Sequence, residues 1–202
     1  MIEFFINDQP VQAQSGWTVL ETTRQYGIHI PTLCYHEAVK PSGACRLCVV
    51  ELKDGDWSKV VISCMYPAQA GLRVYTESER VQNVRRWILK MLLAQCPASP
   101  EIRDLAAQYG VKDTRFVSHH PEEKCILCGL CLRVCAEVVG VSAISTSGRG
   151  VHKKISPPFD QPSATCVACG SCVTVCPTGA MREFLDSVRG TPRVELVQAG
   201  KK

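Results

Sequence analysis

Between Glu123 and Pro177 the chain carries Cys125, Cys128, Cys131 and Cys135, then repeats the spacing at Cys166, Cys169, Cys172 and Cys176. Each set reads C-x2-C-x2-C-x3-C, and Pro177 closes the second. Thiolates at this spacing suit paired iron–sulfur cubes, in which one tight loop gives three ligands and the fourth Cys of each run ligates the other cube. The assignment is therefore crossed. One 4Fe–4S cluster falls to Cys125, Cys128, Cys131 and Cys176, and the other to Cys166, Cys169, Cys172 and Cys135. Crossing forces both runs into one fold with neighbouring clusters, between which electrons can pass. Structural zinc is the alternative, but zinc takes four ligands in two well-separated pairs, and a loop of three thiolates gives it one too many.

A second group of thiols, Cys34, Cys45, Cys48 and Cys64, is separated by ten, two and fifteen residues. Plant-type 2Fe–2S spacing opens with four residues rather than ten, so the match is imperfect. The long first gap contains Pro41-Ser42-Gly43-Ala44, small residues that let backbone amides approach sulfur. Such N–H donors favour the extra negative charge of a reduced cluster. Four zinc ligands remain the alternative here, with the two neighbouring 4Fe–4S runs weighing against it.

The elements that must position these thiols start at the N-terminus. Ile2, Phe4 and Ile6 alternate, Asn7-Asp8 is turn chemistry, and a second short run follows Pro10, so residues 1–14 read as two short strands. Thr18 and Glu21 have capping-box spacing for a helix that stops near Gly27. Leu47 to Leu52 reads as a strand, Lys53-Asp54-Gly55-Asp56 turns it back through Val60-Val61-Ile62 to Cys64, and Leu72 to Tyr75 adds one more. Two hairpins, a helix and a cysteine loop point to a β-grasp, the plant-ferredoxin architecture.

At this point a resemblance becomes specific. Ile30 to Leu52, running Ile-Pro-Thr-Leu-Cys-Tyr-His through Cys-Arg-Leu-Cys-Val-Val-Glu-Leu, resembles the 2Fe–2S domain that opens the large iron–sulfur subunit of NADH:quinone oxidoreductase. The same domain opens the electron-input region of iron-only hydrogenases and the small diaphorase subunit of NAD-linked hydrogenases and formate dehydrogenases. Glu123 to Gly129, Gly148-Arg149-Gly150 and Cys176-Pro177-Thr178-Gly179-Ala180 resemble that family too, so the likeness covers nearly the whole chain. It implies that Cys34, Cys45, Cys48 and Cys64 bind one 2Fe–2S cluster. Many members also carry a 4Fe–4S cluster on one His and three Cys in the connector. Between Tyr66 and Glu123 this chain has only Cys96 ahead of His119-His120, so that cluster is expected to be missing. Cys96 is then the thirteenth thiol, buried outside every ligand set, and His119 and His120 are expected at a surface or interface.

The expected architecture is α+β: a β-grasp 2Fe–2S ferredoxin domain over 1–76, a helical connector over 77–118, a bacterial-type double 4Fe–4S ferredoxin domain over 119–186, and a tail over 187–202. In the connector, Thr76 with Glu79 offers a capping box and Val81, Val84, Ile88 and Leu92 mark one helical face. Ser99-Pro100 starts a second helix with the stripe Ile102, Leu105 and Ala106, and Gly110 ends it. Thirty residues separate the two ferredoxin runs, enough for a hairpin of Val141–Ile144 and Val151–Ile155 around Gly148-Arg149-Gly150, followed by the stiff Pro157-Pro158 turn. That insertion reads equally as an interaction surface or a family-specific spacer. Met181 to Val188 has a helical pattern, and 189–202 carries no recognisable chemistry.

Composition narrows the function. Thirteen Cys in 202 residues are too many for incidental core thiols, and the start Met1-Ile2-Glu3-Phe4-Phe5 lacks the pattern of an export signal. Cytoplasmic metal ligation is therefore expected rather than disulfides. No apolar stretch is long enough for a membrane span. Three oxidised all-thiolate clusters, each about −2, would take the formal +4 to about −2. Nucleic-acid binding on net basicity therefore has no support, and no nucleic-acid module is recognisable. Basic residues such as Arg85-Arg86, Lys201 and Lys202 read as solvated faces or subunit contacts. There is no dinucleotide fingerprint, no Walker A loop and no nucleophile with a general base, so no catalytic residue is assigned. A hydride carries two electrons and a cluster passes one, so exchange with NAD(P)H requires a flavin, expected on a partner. The reading is a relay subunit between a flavin-bearing NAD(P)H-oxidising subunit and a catalytic subunit. The resemblance places a hydrogenase first and a formate dehydrogenase second, with electron bifurcation as a further reading. The alternatives are a free multi-cluster ferredoxin carrier and, behind it, an iron or redox sensor.

Overall fold

The computed structural model describes residues 1–161, 163–182 and 184. The chain divides into two compact units, one of Met1–Tyr35, Pro41–Ala94 and Ile102–Val117, the other of His36–Lys40, Gln95–Glu101 and the chain from Ser118 onward.

The first unit is built on a five-stranded sheet. Strands β1 (Ile2–Ile6) and β2 (Gln9–Ala13) form a hairpin whose turn residues Asn7 and Asp8 both take positive φ, the conformation a tight two-residue hairpin demands. β3 (Val49–Asp54) and β4 (Trp57–Ile62) form the second hairpin, and β5 (Arg73–Tyr75) lies between the two in the order β2-β1-β5-β3-β4. β1 and β5 run parallel, whereas the other neighbours are antiparallel. Helix α1 (Val19–Gln25) starts in the expected capping box. The Thr18 hydroxyl accepts the Glu21 N–H at 3.2 Å, and the Glu21 carboxylate accepts the Thr18 N–H at 2.7 Å. Val19 and Leu20 then pack with Phe4, Ile6, Val50, Leu52 and Val74 into the core, the sheet-and-helix layering of a β-grasp.

Helices α2 (Glu79–Gln95) and α3 (Pro100–Gln108) follow. The cap of α2 differs from expectation. Ser78, not Thr76, accepts the Val81 N–H, at 3.3 Å, because Thr76 is engaged with Asn7 through both its N–H and its hydroxyl at 2.9 Å. The buried face also differs: Val84 is only half-buried, whereas Arg85, read from sequence as part of a solvated or subunit-contact pair, is fully buried. Its guanidinium donates to the Glu77 carboxylate at 2.8 Å and to the Val49 carbonyl at 3.0 Å. A cation enters a core only with such partners. One arginine stem thus fills the place that a hydrophobic residue was expected to take.

In the second unit, short helices α4 (Leu130–Arg133) and α5 (Ser171–Thr174) follow the two cysteine loops, and strands β6 (Ser145–Ser147) and β7 (Lys154–Ser156) form an antiparallel pair. The hairpin begins later than Val141–Ile144 because that stretch is already engaged. The N–H groups of Val141 and Ser142 donate to the Cys135 carbonyl, and that of Ala143 to the Cys135 sulfur. An N–H spent on Cys135 cannot join a ladder. The second strand shifts with it, from 151–155 to Lys154–Ser156, and Gly150–His152 forms a single tight helical turn between the strands. Pro158–Asp160 is another such turn, at the expected stiff corner. The Met181–Val188 helix and the 187–202 tail lie largely outside the described residues.

Gly148 makes the turn possible. Its φ is +69°, and a Cβ there would stand 2.3 Å from the His152 carbonyl oxygen. Gly148→Ala is therefore expected to destabilise the hairpin by more than the roughly 1–2 kcal/mol that a left-handed residue costs on its own. Hydrogen exchange of the β6 and β7 amides measures this, and unchanged protection would contradict the contact.

Candidate iron–sulfur sites

All four thiols of the first unit are buried. They stand as two couples, Cys34 with Cys45 and Cys48 with Cys64, each sharing a thiol–thiol hydrogen bond. Within each couple the accepting sulfur, Cys34 or Cys48, is held well below the usual thiol range by its partner's S–H, and the partner is pushed above it. Two couples of sulfur are the donor set that two irons, each taking two thiolates, require. The small residues of the long gap act as expected. The Cys45 N–H donates to the Cys34 sulfur at 3.4 Å, joined by the Ala44 N–H and the Ser42 side chain. Leu47 and Leu33 N–H groups reach Cys45. Arg46, inside the Cys45–Cys48 loop, is held at φ +61°.

The second unit holds two hollows. One is lined by Cys125, Cys128, Cys131 and Cys176 with Ile126, Leu130, Ile155, Pro177 and Met181. The other is lined by Cys135, Cys166, Cys169 and Cys172 with Val139, Val141, Ala143, Ile144, Val167 and Phe184. Each hollow thus gathers three thiols of one run and the fourth of the other. Thiols ringed around an apolar hollow, with N–H groups aimed at sulfur, fit an iron–sulfur cluster.

Local backbone geometry explains the rings. Leu127 (φ +52°) and Ala168 (φ +53°) occupy the same place in the two loops, and each is followed by a left-handed glycine, Gly129 (φ +72°) and Gly170 (φ +79°), which starts the short helix. A non-glycine residue in that region costs about 1–3 kcal/mol and persists where the surroundings require it. Here it turns the Leu127 N–H onto the Cys125 sulfur at 3.3 Å. Burial pushes Cys125 up to about 11 and Cys131 up to about 12, with neighbouring thiols adding to both. Such thiols ionise when a metal takes the proton's place.

Ile126 and Leu130 line the first hollow and Val167 the second, whereas Leu127 borders a neighbouring hollow beside Glu123 and Val173 packs against the small cluster of Cys131, Ile144 and Met181. Sequence reasoning missed Ile155, Met181 and the 139–144 stretch, which come from the insertion and from beyond the second run. Their only signal was apolar character. Cys96 is fully buried, and burial, with the charges of Cys125 and Glu123, pushes it up to about 12. His119 and His120 are exposed. His120 Nε2 lies 3.0 Å from the Val151 carbonyl, and its ring meets His152 edge-on at 6.2 Å.

Residues 1–79 match the family model of the 2Fe–2S iron–sulfur cluster binding domain, and residues 124–180 that of the 4Fe–4S dicluster domain. The chain is therefore an α+β iron–sulfur protein that joins a 2Fe–2S domain to a 4Fe–4S dicluster domain, built for electron transfer. Within that class it is related to the N-terminal iron–sulfur region of NADH:quinone oxidoreductase and to a chain of an NAD+-reducing hydrogenase. The NADH-ubiquinone oxidoreductase 75 kDa subunit of Reclinomonas americana is 32% identical over 77% of this chain and 26% of the relative. An NADH-quinone oxidoreductase subunit of Rhizobium meliloti (strain 1021) is 32% identical over 91% of this chain and 24% of the relative. The chain spans about a quarter of the length of these curated relatives. A crystal structure of NAD+-reducing [NiFe]-hydrogenase in the H2-reduced state superposes with a TM-score of 0.75 at 29% identity, covering 89% of this chain and 86% of that one. No helix among the described residues is long and apolar enough to cross a membrane.

A Cβ at Gly129 would meet nothing within 4 Å. Gly129 also lines the first hollow, so against protein atoms alone Gly129→Ala is expected to cost the left-handed strain, about 1–2 kcal/mol, read as a lowered thermal midpoint. Loss of iron from a still-folded variant would mean that this glycine shapes the site by more than its φ.

Proposed function

We propose that the chain is the wiring between an NAD(P)H-oxidising flavoprotein subunit and a catalytic subunit, a hydrogenase in first place and a formate dehydrogenase in second. Cys34, Cys45, Cys48 and Cys64 would hold one 2Fe–2S cluster. Cys125, Cys128, Cys131 and Cys176 would hold one 4Fe–4S cluster, and Cys135, Cys166, Cys169 and Cys172 the other. Bound clusters supply single-electron chemistry, whereas a nicotinamide exchanges electrons in pairs through a hydride. The flavin that splits the pair is assigned to the partner. The observation that carries this reading is the pair of hollows, each ringed by four thiols from both runs. The likeness to a chain of an NAD+-reducing hydrogenase, over most of both lengths, supports the choice of partner.

The residues have three tasks. Thiolates hold iron at fixed separations. N–H groups such as those of Cys45, Leu127 and Ala143 donate to ligand sulfur and offset its charge. Apolar walls exclude water, so that the protein sets the potentials by burial, hydrogen bonding and charge.

Iron analysis of anaerobically purified protein is expected near ten atoms per chain, and a value near three would end the reading. Cys176→Ser should damage the cluster of Cys125, Cys128 and Cys131 more than the one on its own loop, as read by EPR, and the reverse would overturn crossed ligation. Cys96→Ser should leave both iron content and EPR signals nearly unchanged. A chain that purifies from its native cells as a lone monomer at physiological salt would point instead to a diffusing carrier.

A further inference from the structure

The two cysteine loops repeat one another closely enough to serve as mutual controls, and they differ in charge and in wetness. In each loop the same two amides need an acceptor, that of the residue before the first cysteine and that of the cysteine itself. In the first loop the Glu123 carboxylate accepts both, the Lys124 N–H at 2.9 Å and the Cys125 N–H at 2.7 Å. In the second the acceptors are neutral: the Ser163 hydroxyl takes the Thr165 N–H at 3.3 Å, and the Ser163 carbonyl takes the Cys166 N–H at 2.9 Å. Lys154 borders a hollow together with Glu123 and Cys125, but both oxygens of Asp160 already hold it at 2.8 Å. Among the described residues no charged side chain lines either cluster hollow; the difference in charge is the Glu123 carboxylate behind the first loop, bonded to the Cys125 N–H.

Wetness differs in the same sense. Cys128 and Cys131 are buried, whereas none of Cys135, Cys166, Cys169 and Cys172 is, and Cys169 is exposed. The Ser171 hydroxyl lies 3.4 Å from the Cys169 sulfur, where it donates once that sulfur is a thiolate; in the first site the Thr178 hydroxyl stands farther from the Cys176 sulfur, at 3.7 Å.

Reduction adds one negative charge to a site. A fixed carboxylate and a dry wall disfavour that charge, while water and an O–H donor favour it. We propose that the dicluster unit is graded: Cys125, Cys128, Cys131 and Cys176 form the low-potential site, held low by Glu123, and Cys135, Cys166, Cys169 and Cys172 form the high-potential site, held high by Ser171 and by exposure of Cys169. An electron passed down this gradient oxidises the first site by the single electron that reduces the second, with no proton or bond changing hands. Electrons then leave on the side of Cys169. Glu123 and Ser171 are tuning residues and touch no iron.

The inference rests on both sites holding 4Fe–4S, and the test separates the two questions. Iron content and the EPR of the fully reduced, unmodified protein come first; if two 4Fe–4S signals are lacking, the relay reading fails before the gradient is tested. A redox titration followed by EPR is then expected to show two steps. Glu123→Gln should raise the lower step by about tenfold in its reduction equilibrium, 59 mV for one electron, and leave the upper step in place. Ser171→Ala should lower the upper step and leave the lower one. A single unresolved step in the unmodified protein, or Glu123→Gln moving the upper step or neither, overturns the proposal. If Glu123→Gln does not retain iron, Ser171→Ala decides alone: a fall of the upper step supports the gradient, and any other result overturns it.

Discussion

Sulfur atoms that are to share a cluster must be kept apart around empty space, and the polypeptide has to hold that space open by itself. The unusual backbone of the two cysteine loops serves this need. Leu127 and Ala168 sit in a backbone region that side chains avoid, and the two loops close over hollows instead of packing shut. Burial raises the Cys125 and Cys131 thiols, so metal entry there exchanges protons for iron. The first unit packs thirteen buried residues around Phe4 and Val50 into one core. In the second unit the buried apolar residues stand at the cysteine loops themselves, Ile126, Leu130 and Met181 along the first hollow and Ala143 and Ile144 along the second, so the same side chains serve as core and as site wall.

The legible parts of this chain were those where a local rule has one solution. The spacing C-x2-C-x2-C-x3-C points to a crossed grouping, and each hollow is lined by three thiols of one run and the fourth of the other. Thr18 with Glu21, and the Asn7-Asp8 turn, are also local and took the expected form. What escaped was decided by residues far away. Thr76 has the spacing of a helix cap, yet Asn7, 69 positions earlier, claims it and Ser78 caps instead. Arg85 looks like half of a surface pair, yet the carbonyl of Val49 and the carboxylate of Glu77 make its burial tolerable. Periodicity reports which side chains share a face. It is silent on which backbone groups a distant segment will occupy.

The displaced hairpin leads to the geometry of crossing itself. In a regular α-helix the Val139 N–H would bond the Cys135 carbonyl four residues back. It bonds Val134 instead, five back, at 3.0 Å, as the last step of a widened turn over Val134–Val138. The carbonyl of Cys135 is thereby freed for the N–H groups of Val141 and Ser142, at 3.1 and 3.4 Å. Those bonds draw 141–144 over the second hollow, where the Ala143 N–H completes the hold on the Cys135 sulfur at 3.3 Å. One extra residue in a helical turn thus does two things at once. It gives the inserted segment its anchor, and the same segment becomes the wall of the site that Cys135 enters. The four-residue step from Cys131 to Cys135, about 6 Å along a helix axis, is the spacer between the two hollows. The second run makes its own four-residue step differently, with α5 ending at Thr174 before Cys176 returns to the first hollow. The two sites therefore share a ligand pattern without sharing a wall, so their environments are free to diverge in water, charge and hydrogen bonding while the sulfur framework stays the same.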